Sequence, residues 1–407
     1  MINGLIGMIQ KQIRNIADKT KIHREIIQRL SFYYGISRTK EIITALKQHS
    51  LYYPIRVNTL QTSREKLLKS FESKDILVEK HPILDECLLI KAAGPFTLTE
   101  NEKTITINEK AARDVMCGAN LGVPGILEHE DINIGEEVSL VDRFETIVAN
   151  GVAMMNSREI KQKKKGIAVK TTKSRYFIPN LHHLKEYLRG QFIHQSLTSM
   201  IVGVQVKLQK KDRLLEMTMG EGELLTHIWQ RNAKNQFSGR ILANARFKSH
   251  LQASQENIKR LRMHNAPFET HLLKIDQIQT KFSRNETFDK IILNAPCSEL
   301  GVRPKIHDTT TEKRILKFAN KQKQMIEQAA RLLKPGGILF YHTLSIDPAE
   351  NEEIITYATE EYNLQLQEQS LKLGESGISS YNNADLMQRF YPDKHPTNGA
   401  FIAKLIK

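Results

Sequence analysis

Cysteine is scarce in this chain of 407 residues, which contains only Cys87, Cys117 and Cys297. Three cysteines cannot all pair within one chain, and their spacing does not match that of a zinc site. The scarcity excludes a small secreted fold held together by disulfides. It predicts instead a reducing, cytoplasmic location.

Long apolar segments are also absent. No run approaches the ~20 apolar residues that a membrane-spanning helix needs, so we expect no membrane contact. Residues 1–21 lack the apolar core and the small-residue cleavage site of a secretory signal. They are basic and mildly amphipathic, which predicts a first domain helix, with an organellar presequence as the alternative. Histidines such as His227 and His342 lack metal-ligand spacing with carboxylates, so we expect core or solvated histidines and no metal site.

Positive charge is in excess, with 60 Lys and Arg against 45 Asp and Glu and a formal net charge of +15. Such an excess favours a polyanionic partner, because phosphate contacts release condensed counterions. Many proteins are basic for other reasons, so charge alone does not separate a nucleic-acid binder from an ordinary globular protein. The densest run, Lys161–Lys165, is either a solvated loop or a loop that faces phosphates.

The patterning predicts three domains. Residues 1–108 indicate a helical and small α/β region, with helical spacing up to about residue 50 and a helix from Ser63, its N-cap, to Phe71. Residues 109–175 are punctuated by glycines between short β-like runs, which indicates a compact β module. Over residues 176–407 strand and helix patterns alternate, which predicts a Rossmann-like, doubly wound parallel sheet. The predicted strands there are Arg213–Met217, Arg240–Ala243, His271–Ile275, Lys290–Leu293 and Ile338–Tyr341, and the clearest helices are Ser249–Leu261 and Thr311–Leu333.

A series of motifs runs through the last predicted domain. Asn294–Gly301 reads N-A-P-C-S-E-L-G directly after an apolar strand, and Lys334–Gly337, His342–Ser345 and Pro348–Glu353 follow in order. This order resembles the RsmB/NSUN-type RNA cytosine-5 methyltransferases, with their D-A-P-C-S-G-x-G, K-P-G-G, T-C-S and P-x-E-N-E strings. Leu215–Ile228 likewise resembles the family's cofactor loop, L-D-M-C-A-A-P-G-G-K-T-T-H-I. The resemblance implies a methyltransferase fold.

The β module resembles a PUA domain, a small RNA-binding β-barrel. The signal lies in Asp114–Asn120, Gly122–Ile126 and Ile134–Val138. Together the two resemblances indicate the tRNA-acting branch of the family in archaea and eukaryotes, so tRNA or rRNA is the implied partner. The residues expected to contact RNA are Gly118, Lys163, Lys164 and Lys165.

The resemblance places Leu344 at the position of the catalytic nucleophile. In the family a cysteine thiolate adds to C6 of cytosine, which lets C5 take a methyl group from S-adenosylmethionine. That cysteine belongs to the T-C-S string, where Leu344 offers no lone pair. Cys297 keeps the position of a second family cysteine, which helps to release the product. Asn294 replaces an Asp that contacts the reacting base, and an amide cannot act as a base.

The implied cofactor, S-adenosylmethionine, is expected to meet a partly altered site. Its expected contacts are Glu216, Gly220, Gly222, Ala245 and Asp276. The family's Pro, second Gly and Lys become Glu221, Glu223 and Leu224, and Ala245 replaces the acid that holds the ribose hydroxyls. Lost polar partners cost ~1–3 kcal/mol each. Three losses therefore predict binding weaker by ~100-fold or more, taking ~1.4 kcal/mol per decade.

Three functions follow from these observations. The first is an RNA-binding protein that keeps the methyltransferase fold without its chemistry, acting alone or beside an active paralogue. The second is an active 5-methylcytosine transferase that uses Cys297 as its nucleophile. The third is a protein-interaction scaffold for which RNA is incidental. We favour the first, because the combined losses are difficult to reconcile with a working enzyme.

Overall fold

The computed structural model describes residues 2–282, 287–306, 308 and 310–407. The chain forms two compact units, each assembled from separate segments. The first unit comprises residues 1–53, 91–180 and 303–309. The second unit comprises residues 54–90, 181–302 and 310–407. No helix in the described part of the chain is both long and apolar enough to cross a membrane.

The helices and strands are as follows. The helices are α1 (Ile2–Thr20), α2 (Arg24–Tyr34), α3 (Ile36–Leu46), α4 (Arg64–Glu72), α5 (Glu109–Val115), α6 (Ser157–Gln162), α7 (Lys185–Leu188), α8 (Leu197–Gln205), α9 (Glu223–Asn232), α10 (Lys248–Arg260), α11 (Ile275–Lys281), α12 (Glu312–Leu332) and α13 (Glu352–Tyr362). The strands are β1 (Tyr52–Val57), β2 (Val78–Lys80), β3 (Cys87–Lys91), β4 (Lys103–Ile107), β5 (Leu121–Gly122), β6 (Ile126–His129), β7 (Glu137–Val141), β8 (Ile147–Ala153), β9 (Ile167–Ser174), β10 (Phe192–His194), β11 (Arg213–Met219), β12 (Arg240–Ala245), β13 (Phe268–His271), β14 (Phe288–Asn294), β15 (Leu333–Thr343), β16 (Gln365–Leu366), β17 (Gln388–Phe390) and β18 (Ala400–Ile406).

The first unit contains helices α1 to α3 and a six-stranded sheet in the order β5-β9-β8-β7-β4-β6. The sheet pairs are antiparallel except for β4 and β7, which run parallel. Its core is aliphatic and includes Ile105, Val138 and Val169. A Cβ added at Gly151 in β8 would lie 2.5 Å from Val169 Cγ1, so only glycine fits at this point where β8 pairs with β9. The sequence therefore folds here into the compact β module that its glycines predicted.

The main sheet of the second unit has the order β13-β12-β11-β14-β15-β18-β16, and β17 pairs with β18. Strands β11 to β15 are parallel and β18 is antiparallel. The chain winds outward from β11 through β12 to β13, then returns to β14 on the other side of β11. This reversal creates a crevice at the carboxyl ends of β11 and β14, where open α/β sheets bind ligands. The prediction of a doubly wound α/β domain is confirmed.

Local predictions from the sequence can be compared with these elements. Ser63 is the N-cap of α4, and its hydroxyl accepts from the Lys66 N–H at 3.3 Å, as predicted. The predicted strand His271–Ile275 is misplaced, because the strand is Phe268–His271 and Ile275 begins α11. The reason is local: the Leu273 N–H donates to the side chain of Asn244 at 2.8 Å rather than to a neighbouring strand.

A buried ion pair anchors the segment after β15, which leads into the crevice. The guanidinium of Arg389 and the carboxylate of Glu352 are 1% and 0% exposed, respectively. Arg389 Nε donates to Glu352 Oε1 at 2.5 Å, and another of its nitrogens donates to the Ile346 carbonyl at 2.9 Å. The pair thereby fixes the start of α13 and the loop that precedes it.

Removing the charge of Glu352 should destabilise the protein strongly. In Glu352→Gln the buried guanidinium loses its counter-charge, and breaking such a pair costs about 3–5 kcal/mol. Urea unfolding measures the loss. Glu360→Gln, at an exposed position on the same helix, is the control and should change stability by less than about 0.5 kcal/mol. Equal midpoints for the two variants would contradict this account.

Candidate functional site

The motif residues meet where β14 and β15 end side by side. Asn294 is the last residue of β14 and lies opposite His342 in the parallel register. Leu344 follows β15, and its carbonyl accepts the Gly301 N–H at 2.9 Å. The structure therefore brings together the two loops that carry Cys297 and Leu344.

Asn294 is held by a chain of hydrogen bonds that the sequence did not reveal. Its Oδ1 lies 2.9 Å from His342 Nδ1, and His342 Nε2 lies 3.0 Å from Thr198 Oγ1. The hydroxyl of Thr218 donates to the Asn294 carbonyl at 2.7 Å. Burial lowers the pKa of His342 to about 4, so the imidazole is neutral at physiological pH. A neutral ring donates with one nitrogen and accepts with the other, which fixes the amide without a charge.

Cys297 has the wrong protonation state for attack on a pyrimidine ring. Its side chain is buried, and the pKa of the thiol is raised to about 12 by burial and by the nearby Glu350 carboxyl. The backbone N–H groups of Glu299 and Leu344 partly oppose this rise. The thiolate is the nucleophilic form, so this cysteine is a thiol with no activation at neutral pH.

Glu350 joins the two motif loops, a role that sequence reasoning missed. Its carboxyl accepts the Ser298 N–H at 2.7 Å and the Ser298 hydroxyl at 2.6 Å. It also accepts the Ser345 hydroxyl at 2.5 Å. Burial raises the pKa of Glu350 to about 7, and the two serine hydroxyls oppose the rise. The P-x-E-N-E string was the available signal, because it placed a carboxyl beside both loops.

Glu216 lies near the end of β11 and is a candidate cofactor contact. It is 1% exposed, and its Oε2 atom has no hydrogen-bond partner among the described residues. Burial and the nearby Glu223 carboxylate raise the pKa of Glu216 to about 8. A buried acceptor without a partner suits an amine or hydroxyl of a ligand.

The turn between β11 and α9 contains two glycines and the carboxyl of Glu223. Gly222 has φ +81°, and a Cβ there would lie 3.0 Å from Ser254 Cβ, so glycine is needed at this position. A Cβ at Gly220 would lie 3.3 Å from Glu223 Oε1. The Glu223 carboxyl therefore fills the space beside Gly220 that a close backbone approach would use.

Of the two remaining expected cofactor contacts, Ala245 and Asp276, only Asp276 has a polar side chain. Ala245 ends β12, is fully buried and has no polar side-chain atom. Its neighbour Asn244 cannot substitute, because its amide is bound to Met217 O at 3.3 Å and Leu273 O at 3.1 Å. Asp276 is exposed in the first turn of α11. Glu216 and Asp276 therefore keep carboxyl groups among the expected contacts, whereas position 245 has no acid that could hold ribose hydroxyls.

The expected RNA contacts lie in the first unit, at opposite ends of β9. Gly118 has φ +100°, and a Cβ there would lie 3.6 Å from Ser174 Oγ, at the end of β9. Lys164 and Lys165 precede β9 and are exposed, whereas Lys163 binds Glu159 at 2.8 Å. The structure thus separates Gly118 from the three lysines. Within the described residues, no group of three His, Cys, Asp or Glu side chains could hold a metal ion.

The unusual carboxyl of Glu216 predicts a pH dependence of stability. Its folded pKa of about 8 exceeds the ordinary value of 4.5, so the folded state binds the extra proton and stability is lost as pH rises through about 8. Between pH 6 and 9, the melting temperature of Glu216→Gln should therefore fall by less than that of the parent protein. Thermal unfolding across this range measures the effect, with the exposed Glu221→Gln as control. A slope identical to that of the parent would exclude a buried, protonated Glu216.

The neutral state of His342 depends on the residue at position 294. In Asn294→Asp a carboxylate replaces the amide oxygen 2.9 Å from the imidazole, and an opposite charge should raise the pKa of His342 above about 4. Titration of the ring by NMR measures this change. Asn294→Ala, which adds no charge, should leave the ring neutral at physiological pH. An unchanged titration in the Asp variant would disprove the contact.

Comparisons with known proteins agree with this geometry. The family model for 16S rRNA methyltransferase RsmB/F matches residues 204–406, the PUA domain model matches 103–174, and the ferredoxin-like domain model of RsmF/B-like methyltransferases matches 26–97. A tRNA (cytosine(72)-C(5))-methyltransferase from Pyrococcus horikoshii is 34% identical over 379 residues, covering 92% of this chain and 94% of its own. The human tRNA (cytosine(72)-C(5))-methyltransferase NSUN6 is 25% identical over 429 residues, covering 95% and 90%.

A solved structure is similar over almost the whole chain. The crystal structure of NSun6 from Pyrococcus horikoshii with SFG superposes with a TM-score of 0.86 at 32% identity, covering 95% of this chain and 98% of that one. The fold, the ordered motif loops and these matches agree with one another. The chain belongs to the RsmB/F-type RNA cytosine-5 methyltransferase family with a PUA domain, and its close homologues are NSUN6-type tRNA methyltransferases.

Proposed function

We propose that this protein binds RNA on a methyltransferase scaffold and does not transfer methyl groups. The observation that carries the proposal is the pair of residues at the motif loops. Leu344 stands where the family has its nucleophilic cysteine, and the neighbouring Cys297 is a buried thiol with a pKa near 12. Cytosine methylation in this family requires a thiolate, and neither residue provides one.

The surroundings of the two residues support the same conclusion. Asn294 is bound to a neutral imidazole, so no carboxylate faces the site from the position where the family has Asp. Burial raises the pKa of Glu350 to about 7, and its carboxyl is already bound to two serine hydroxyls. The charged side chains among the main influences on the Cys297 thiol are the acids Glu350 and Glu299, and both raise its pKa. The site is therefore poorly suited to making a thiolate.

Loss of cofactor binding is the second part of the proposal. S-adenosylmethionine serves as methyl donor in this family, and its ribose would find only the Ala245 methyl group in place of a carboxylate. The carboxyl of Glu223, at the position of the family's second glycine, lies beside Gly220 and reduces the space there. We infer that the chain does not use this cofactor for methyl transfer.

RNA binding rests on the PUA domain and on the positive charge. The relatives named above act on tRNA, and tRNA is accordingly the RNA class that we propose for this chain. Lys164 and Lys165 are exposed beside Lys163 in the PUA domain and are proposed to contact phosphates, with Gly118 at a second point of the same domain. We further propose a cytoplasmic location, and action alone or beside an active paralogue.

One preparation of the protein can test both parts of the proposal. We expect binding to a tRNA transcript that weakens steeply with salt, and no incorporation of tritiated methyl groups from S-adenosylmethionine. Calorimetry should detect no binding of S-adenosylmethionine at concentrations that saturate an active relative. Methyl transfer that is lost in Cys297→Ala would overturn the proposal of inactivity. Weak, salt-insensitive tRNA binding would instead favour a protein-interaction scaffold.

The alternative is a transferase that attacks through Cys297. It has one observation in its favour, because backbone N–H groups of Glu299 and Leu344 do stabilise negative charge on this sulfur. An attacking Cys297 would form a covalent adduct with RNA that contains 5-fluorocytosine, and Cys297→Ser would abolish the adduct. Folded, RNA-bound protein that forms no adduct excludes this alternative.

A further inference from the structure

Helix α1 lies outside all three family models that match the chain, which begin at residues 26, 103 and 204. Together with α3 it forms a cleft of about 420 Å³ in the first unit. The polar side chains that line this cleft are Gln12, Asn15, Lys19 and Thr20 from α1, and Ser37, Lys40 and Thr44 from α3. No Asp or Glu of the described residues belongs to the lining. The cleft therefore presents two ammonium groups with amide and hydroxyl groups beside them.

The two lysines of the cleft have no carboxylate partner. Neither Lys19 nor Lys40 takes part in a salt bridge within the described residues, although both are exposed. The nearest acid in sequence to Lys40 is Glu41, which is bound to Arg38 at 3.1 Å. Two cations that face one cleft without a counter-charge repel each other, and a bound anion would relieve this repulsion.

The donors that the cleft offers come from its lysines and amides and not from its threonines. The hydroxyl of Thr20 donates to Ile16 O and that of Thr44 donates to Lys40 O, each at 2.7 Å, so their hydrogens are already used. The ammonium and amide N–H groups of the cleft are free to donate. From residue 2 to residue 47 the chain has nine Lys and Arg against three Asp and Glu, so the surrounding field is positive.

We propose that the cleft between α1 and α3, centred on Lys19 and Lys40, binds a phosphodiester segment of RNA. RNA is favoured over free phosphate because the cleft is larger than one phosphate group, and because the same unit contains the PUA domain. The inference rests on the proposed RNA-binding function and adds a second contact site to it. Phosphate oxygens accept the hydrogen bonds that the ammonium, amide and Ser37 groups donate.

The test compares two double variants that remove the same charge. Lys19→Gln with Lys40→Gln empties the cleft of cations, whereas Lys66→Gln with Lys69→Gln removes two exposed lysines from α4. Glutamine retains good helix propensity, so both variants should fold, and circular dichroism confirms this. We expect the cleft variant to bind a tRNA transcript about 3- to 10-fold more weakly than the parent protein. The slope of log Kd against log salt concentration should be smaller by about 1 to 2 for this variant. The α4 variant should keep the slope of the parent.

Lysine footprinting supplies a readout that does not depend on variants. Bound tRNA should protect Lys19 and Lys40 from acylation, measured by mass spectrometry, and should leave Lys66 and Lys69 reactive. Inorganic phosphate is the second arm, and protection by phosphate equal to that by tRNA would identify a simple anion site and overturn the RNA assignment. If the parent protein binds tRNA but the cleft lysines stay reactive and the slope is unchanged, this inference fails and the proposed function stands. If the parent binds no tRNA, both fail.

Discussion

The carboxyl of Glu350 is the constraint on which the geometry of the site depends. It binds Ser298, which follows β14, and Ser345, which follows β15, so it ties together the two loops that contain Cys297 and Leu344. The Tyr341 hydroxyl donates to the Glu350 carbonyl at 2.6 Å and secures the same segment from β15. These contacts hold the loops without using the side chain at position 344. In this site, the residues that hold the loops in place differ from the residues at the positions of the family's cysteines.

The site is buried, and its titratable groups are shifted toward their uncharged forms. Burial raises the pKa of Cys297 and Glu350 and lowers that of His342, so each group is driven toward its uncharged form. Stabilisation of a thiolate would need the reverse, a positive or strongly donating environment around the sulfur. A neutral chain of hydrogen bonds through Asn294, His342 and Thr198 has a lower desolvation free energy cost in such surroundings than an ion pair would have, because an ion pair requires two charges to be desolvated.

The sequence was informative wherever a residue acts through a contiguous motif. The strand before Asn294, the N-cap at Ser63 and the β module all follow from local patterns, and the structure contains them. The partners of Asn294 could not be predicted in this way. Thr198 and His342 come from an earlier helix and a later strand, and only the folded sheet brings them within 3.0 Å of one another.

The turn between β11 and α9 also shows what the sequence could predict and what it could not. The motif comparison identified Glu223 as a foreign acid, but the sequence did not reveal that its carboxyl would lie against Gly220 and near the buried Glu216. Burial is the main cause that raises the pKa of both carboxyls, with Glu223 adding to the rise at Glu216 and Glu221 adding to the rise at Glu223. The turn therefore holds two acids that are driven toward their uncharged forms. This electrostatic state depends on which side chains the fold buries together, and a linear motif does not record that information.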